Sequence, residues 1–228
     1  MKCRLNNNQL KIIALVTMTV DHVGVMLFPQ VWLLRLIGRL SFPIYAYMIA
    51  EGCAHTSNMG KYLGTMASLA AVCQLVYFFA MGSVHQSILV TFCLSIGLIW
   101  LLKMALEKRT TGLWLLTGAG FLTVLLITEG LPLWLMGTDF AVDYGFLGVL
   151  LPVAVWLGKT KKQKLMATFV ILALMSMDAW VGQWAGLLAL PLLALYDGSR
   201  GKRKMKWLFY LYYPAHLALL EAVVYLFF

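Results

Sequence analysis

Leu10-Lys11-Ile12-Ile13-Ala14-Leu15-Val16-Thr17-Met18-Thr19-Val20-Asp21-His22-Val23-Gly24-Val25-Met26-Leu27-Phe28 decides the fold of this chain. The stretch is apolar over the roughly 20 residues that a helix needs to cross a bilayer. It stops at Pro29-Gln30, and a second apolar run from Val31 to about Ala54 follows at once. Both runs carry ionisable side chains in their interiors: Asp21 and His22 in the first, Arg35 and Arg39 in the second. A charge near the bilayer centre costs roughly 2.5–3.5 kcal/mol on insertion scales, so such residues face a protein interior or a water-filled cavity. These four are the first candidates for function.

Composition extends the same reading to the whole chain. The 228 residues are 62% hydrophobic and only 12% charged, whereas a soluble domain is about one-quarter charged. The expected fold is all-α: a polytopic integral membrane helical bundle of about nine transmembrane helices (range roughly eight to ten) forming a single transmembrane domain over residues 1–228. The net charge of +9 would suggest nucleic acid in a soluble protein. Here it is expected in the loops that orient membrane helices, and no nucleic-acid partner is expected. Cys3, Cys53, Cys73 and Cys93 show no metal-ligand or disulfide spacing, and read as small apolar side chains in packed helices. The basic N-terminus resembles the start of a signal peptide. Asp21-His22 interrupts its apolar run, however, and no small-residue cleavage site follows, so a retained first helix is expected.

Nine apolar segments can be drawn, at about 10–28, 31–54, 63–81, 87–106, 113–128, 144–157, 165–177, 180–196 and 207–228. The seventh and eighth are short and should turn near Asp178–Gln183, because one helix from Lys164 to Asp197 would be about 50 Å long. Every Lys and Arg except Arg35 and Arg39 falls in alternate loops or at the segment ends beside them. The positive-inside rule then predicts a cytoplasmic N-terminus and an outside C-terminus. Leu131–Asp143, with Pro132, Trp134 and Gly137, reads as the longest outside loop.

Helix geometry relates the buried charges to one another. Asp21 lies about 15 Å beyond Lys11, and Arg39 about 12 Å beyond Val31, on runs joined by a short turn. Antiparallel packing brings them to similar depth, and Asp21–Arg39 is the expected ion pair. Asp21 and His22 point about 100° apart on a helix, so they should face different partners. Gly24 and Gly38 would let the two backbones approach closely. The last segment adds Tyr212-Tyr213-Pro214-Ala215-His216, with His216 again near mid-membrane and Pro214 expected to kink the helix. Glu51 closes the second run near the cytoplasmic surface. Each of these also has a plain structural reading, as a buried pair or a helix-to-helix hydrogen bond.

The segments Met18-Thr19-Val20-Asp21-His22-Val23-Gly24 and Arg35-Leu36-Ile37-Gly38-Arg39-Leu40-Ser41-Phe42-Pro43 through Glu51-Gly52 resemble the TraX family. So do Gly182-Gln183-Trp184, Tyr196-Asp197-Gly198 and Tyr213-Pro214-Ala215-His216-Leu217. The likeness covers residues 10–62 and 182–217; between them it extends only to hydropathy. The eponymous member acetylates the N-terminus of a conjugative pilin. The resemblance implies a multi-pass protein of a bacterial plasma membrane that transfers acetyl from acetyl-CoA, and more distantly it is similar to other multi-pass acyltransferases with an intramembrane histidine.

On that implication His22 is the expected base, with Asp21 and Arg39 as its electrostatic frame. Arg35, Glu51, Tyr213 and His216 are expected to bind substrate or cofactor, and Arg200, Lys202 and Arg203 to meet cofactor phosphates. Acetyl-CoA is the expected co-substrate, and no metal is expected. A peptide or pilin amine, a sugar and a lipid headgroup all remain open as acceptors. The intramembrane Asp, His and Arg also leave open a proton-coupled transporter, although no internal repeat is visible. A non-enzymatic assembly protein is the third possibility.

Overall fold

The computed structural model describes residues 4–177, 181–201 and 205–227, and it is helical throughout, with only isolated bridges between extended residues. Helix α1 (Asn7–Met26) opens with a reciprocal cap. The Asn6 side chain accepts the Gln9 N–H at 3.0 Å, and the Gln9 side chain accepts the Asn6 N–H at 2.9 Å. Two otherwise orphaned donors are thereby satisfied before the chain enters its apolar run.

The second apolar run forms two helices, α2 (Trp32–Gly38) and α3 (Ser41–His55), with a break at Arg39-Leu40. Pro43 accounts for the break. It has no N–H to offer the carbonyl four residues back, that of Arg39, while its fixed φ suits the first turn of α3. Helix α4 (Met59–Met81) follows a side-chain cap, in which Asn58 accepts the Lys61 N–H at 2.8 Å. Helix α5 (Ile88–Lys108) ends on Arg109, which takes a left-handed φ of 50°.

Helix α6 (Thr111–Leu125) runs through a wide π turn, Leu126–Gly130, into α7 (Leu131–Trp134). The fifth span is therefore longer than hydropathy indicates, and part of the expected outside loop is helix. Pro132 again explains the irregularity, because it cannot donate to the Thr128 carbonyl. The Leu131 N–H reaches back to the Leu126 carbonyl instead.

Helix α8 is Gly145–Leu157 and α9 is Lys161–Met177. Beyond the undescribed Asp178–Trp180, a 3₁₀ stretch at Val181–Leu188 leads into α10 (Ala189–Ala194), and α11 (Lys206–Phe227) is last. The turn expected near Asp178 lies partly outside the described residues.

Among the described residues, five helical stretches are long and apolar enough to cross a membrane: Asn7–Met26, Trp32–His55, Met59–Met81, Ile88–Lys108 and Thr111–Trp134. Gly145–Leu157, Gly182–Ala194 and Leu211–Leu226 are shorter apolar helices. Leu75, Phe79, Leu115 and Leu122 are exposed on α4 and α6, as expected of side chains that meet lipid rather than water.

The chain divides into two compact units, residues 1–48 with 158–228, and residues 49–157. In the second unit α5 is central, packed against α4, α6 and α8. Its core contains Phe92, Ile96, Ile99, Val149 and Leu151. Ser95 crosses from α5 to donate to the Val149 carbonyl at 2.9 Å. Outside the helices, Asp139 accepts from Ser83 Oγ at 2.5 Å and from the Val84 N–H at 3.1 Å. Cys53, Cys73 and Cys93 are free thiols, the first two fully buried.

In the first unit α1 lies against α2 and α11, while α9 packs on the 3₁₀ stretch and α10. One end of this unit is tied by backbone bonds: Leu5 N–H to Leu195, Asp197 N–H to Leu5, and Asn7 N–H to Ser199, at 2.8–3.0 Å. Lys161 Nζ closes the same region by donating to the Ala194 and Tyr196 carbonyls at 2.5 and 2.6 Å. A cation at the end of α10 satisfies orphan carbonyls and complements the helix dipole.

Candidate functional site: a histidine pair beside an ion pair

Two glycines set the close approach of α1 and α2. A Cβ on Gly24 would lie 2.7 Å from Leu34 Cβ, and a Cβ on Gly38 would overlap the Asp21 side chain. The missing Cβ of Gly38 is what makes room for a carboxyl group between the helices. Asp21 Oδ2 then lies 3.0 Å from Arg35 Nη1, with side-chain exposures of 16% and 28% respectively. The pair forms with Arg35 rather than with Arg39, the expected partner. Arg39 falls on the cap residue, where α2 gives way to the break before α3. It is positioned by that turn, and its charge still acts on Asp21. Among the described residues, Asp21 Oδ1 is buried with no hydrogen-bond partner.

His22 points toward α11, about 100° round the helix from Asp21. Its Nδ1 lies 2.9 Å from His216 Nε2, within hydrogen-bonding distance. The two rings are 4.9 Å apart and tilted by 46°. Tyr213 closes the pair edge-on, with centroids 6.2 Å from His22 and 5.5 Å from His216. Tyr212 stacks on His216 at 5.2 Å, with its ring nearly parallel. The hydroxyl of Tyr212 is 2.8 Å from Thr19 Oγ1, and Thr19 itself donates to the Leu15 carbonyl at 2.9 Å. His22 and Thr19 are three residues apart and share a face of α1, which is how one helix contributes both contacts.

Asp21, His22, Arg35, Tyr213 and His216 thus belong to one compact unit. Arg39 belongs to it as well. Glu51 is in the other unit, on α3, where it is 7% exposed and its carbonyl oxygen lies 2.8 Å from His55 Nδ1. Arg200 is exposed in the loop held against the N-terminal segment, close enough to Lys11 for their charges to interact. Lys202 and Arg203 lie outside the described residues. In the same loop the Asp197 carboxyl is held below its usual 3.8 by hydrogen bonds from Ser199, with the backbone N–H at 2.8 Å. Among the described residues, no three His, Cys, Asp or Glu side chains stand close enough to share a metal ion.

Thr19 was not singled out by sequence reasoning. Its signal is the spacing Thr19-x-x-His22, which places a hydroxyl one turn from a half-buried imidazole. As a whole, the arrangement offers an imidazole with a bonded partner, a neighbouring guanidinium held by a carboxylate, and phenol rings packed against the pair. It is suited to proton transfer in an apolar setting.

The family model described as TraX protein matches residues 6–224, nearly the whole chain. This chain belongs to the TraX family. Among curated relatives, a probable fimbrial assembly protein FimC, serogroup H1, of Dichelobacter nodosus is 30% identical over 237 residues. That similarity covers 93% of this chain and 93% of that protein. An uncharacterized protein RP591 of Rickettsia prowazekii (strain Madrid E) is 40% identical over 38 residues, which is 17% of this chain and 15% of that protein. No solved structure matches. The matched region includes the helices that carry His22, Arg35 and His216, so the histidine pair and the ion pair are features of a TraX-family membrane protein.

Proposed function

We propose that this TraX-family protein is a membrane-embedded acyltransferase that moves an acetyl group from acetyl-CoA to an amine or hydroxyl of its acceptor. The observation that carries the reading is the contact between His22 Nδ1 and His216 Nε2 at 2.9 Å, within apolar helices. A positioned imidazole with a free ring nitrogen is the usual general base for activating an amine or a hydroxyl.

In this scheme His22 takes the proton from the acceptor as the acceptor nitrogen or oxygen bonds to the thioester carbonyl carbon. The C–S bond then breaks, and His22 returns the proton to the departing CoA sulfur. The cationic region of Arg35 and Arg39 favours negative charge developing on the carbonyl oxygen. Arg4, Lys11 and Arg200 act on the tied end of the same unit, and suit the anionic part of the donor. On the positive-inside reading of the basic loops these residues face the cytoplasm, which supplies acetyl-CoA.

The relative named for fimbrial assembly supports an acceptor that belongs to a surface fibre, with a subunit amine as the simplest case. The same name also favours a second reading, a non-enzymatic assembly role. One experiment separates the two. Purified protein in nanodiscs is given acetyl-CoA and candidate amines, and release of the CoA thiol is followed for wild type and His22→Ala. Acyl transfer predicts turnover that falls about 10²–10⁴-fold in the variant. Fibre assembly that persists in His22→Ala, without thiol release from either protein, supports the assembly role and contradicts the enzyme.

A further inference from the structure

Two hydrogen bonds fix where the protons of the histidine pair sit. His216 Nδ1 is 2.9 Å from the Tyr212 carbonyl oxygen. A carbonyl only accepts, so Nδ1 of His216 carries a hydrogen. In the neutral imidazole its Nε2 is then a bare lone pair. That lone pair faces His22 Nδ1 at 2.9 Å, so His22 must donate from Nδ1. His22 Nε2 is consequently left without a hydrogen, as an acceptor.

Tyr212 is locked in turn. Thr19 gives its hydroxyl hydrogen to the Leu15 carbonyl, so the Tyr212 phenol donates to Thr19 Oγ1. The same residue therefore supplies the carbonyl that orients His216 and the ring stacked on it. Asp21, the carboxylate beside His22 in sequence, is held by Arg35 instead.

We propose that the Tyr212 carbonyl and His216 form a positioning relay that holds His22 in its Nδ1–H tautomer and so directs the Nε2 lone pair to the substrate. The proposal deepens the reading of His22 as the base and rests on it for its catalytic meaning. His216 does the work that a carboxylate does in a hydrolase triad, where the second ring nitrogen of the base is anchored and its tautomer set. A neutral imidazole suits this place because a buried carboxylate would need its own counter-charge. When Nε2 of His22 takes the acceptor's proton, the resulting imidazolium still donates Nδ1–H to His216 Nε2, now as a charge-assisted bond. His216 keeps its own hydrogen on the Tyr212 carbonyl, and no second proton moves. His216 is therefore a positioning residue.

The test is the ring ¹⁵N spectrum of full-length, histidine-labelled protein in nanodiscs. The chain has four histidines, which single substitutions assign. Wild type should show His22 protonated at Nδ1 and bare at Nε2. His216→Gln keeps an acceptor oxygen near the position of Nε2 and should preserve that tautomer. His216→Leu removes the acceptor and should shift His22 toward the Nε2–H form. If acyl transfer occurs, kcat should fall about 10–100-fold in His216→Leu, with KM little changed and partial rescue in His216→Gln. A His22 that carries its hydrogen on Nε2 in the wild type overturns the relay, whatever the two His216 variants show. An unchanged His22 tautomer in folded His216→Leu overturns it as well. The Nδ1–H tautomer in a protein with no acyl transfer supports the relay and contradicts only the base reading.

Discussion

At the scale of single residues, the site depends on where a carboxyl group fits between two helices. Gly38 has no side chain, and Asp21 fills the space. Gly38→Ala forces a Cβ into the Asp21 side chain, and overpacking of this kind costs about 1–3 kcal/mol. Thermal unfolding in detergent should show the loss. Gly97, where an added Cβ meets nothing within 4 Å, provides the control, since Ala there should leave stability near wild type or raise it. Removing one member of the Asp21–Arg35 pair should cost more than removing both. Asp21→Leu leaves the guanidinium without its carboxylate, whereas Asp21→Leu with Arg35→Leu abolishes the mismatch. A double-mutant cycle by unfolding should therefore give a coupling of about 1–3 kcal/mol, and additive losses would contradict the pairing. That these charges lie together is legible in the sequence, because their depth along two antiparallel helices follows from rise per residue alone. A second span of one unbroken helix favours Arg39 over Arg35. The break that assigns Arg39 to a cap depends on which carbonyl Pro43 fails to satisfy, a detail that hydropathy does not carry.

At the scale of elements, the apolar segments coincide with helices because burial of apolar surface, and the need to satisfy the backbone inside lipid, both favour helix there. The irregular parts were less legible. Pro132 is visible, yet the chain widens into a π turn just before it and stays helical to Trp134. Whether a proline ends a helix or widens it depends on whether the freed carbonyl finds another donor. Arg109 shows a related effect at a helix end. Its φ of 50° is a conformation glycine adopts without Cβ strain, so Arg109→Gly should raise the melting temperature in proportion to about 1 kcal/mol. A lowered melting temperature would show that the side chain contributes more than the strain it introduces. In the loop after α10, Asp197 accepts the Ser199 N–H at 2.8 Å, which holds its carboxyl below 3.8. A lowered folded-state value means that this turn's contribution is fully present above the ordinary carboxyl range. It is lost only as pH falls through the lowered value. The Ser199 amide resonance should accordingly titrate below pH 3.8, and a midpoint at or above that value would contradict the bond.

At the scale of the whole molecule, the family is secure because the match runs from residue 6 to residue 224, and five long apolar stretches suit a chain that crosses the membrane repeatedly. The histidine pair was only half legible in sequence. His22 and His216 lie 194 positions apart, and charge counting could place them at similar depth but not in contact. Contact required α11 to pack on α1, which no local pattern encodes. The assembled pair should drive acyl transfer. The most direct measurement uses full-length protein in nanodiscs, acetyl-CoA labelled in the acetyl group, and a peptide amine as acceptor. The predicted result is label on the peptide nitrogen with one CoA thiol released per transfer, reduced at least about 10²-fold in His22→Ala. Failure of the wild-type protein to bind CoA, with no labelled peptide above the empty-nanodisc blank, would contradict it.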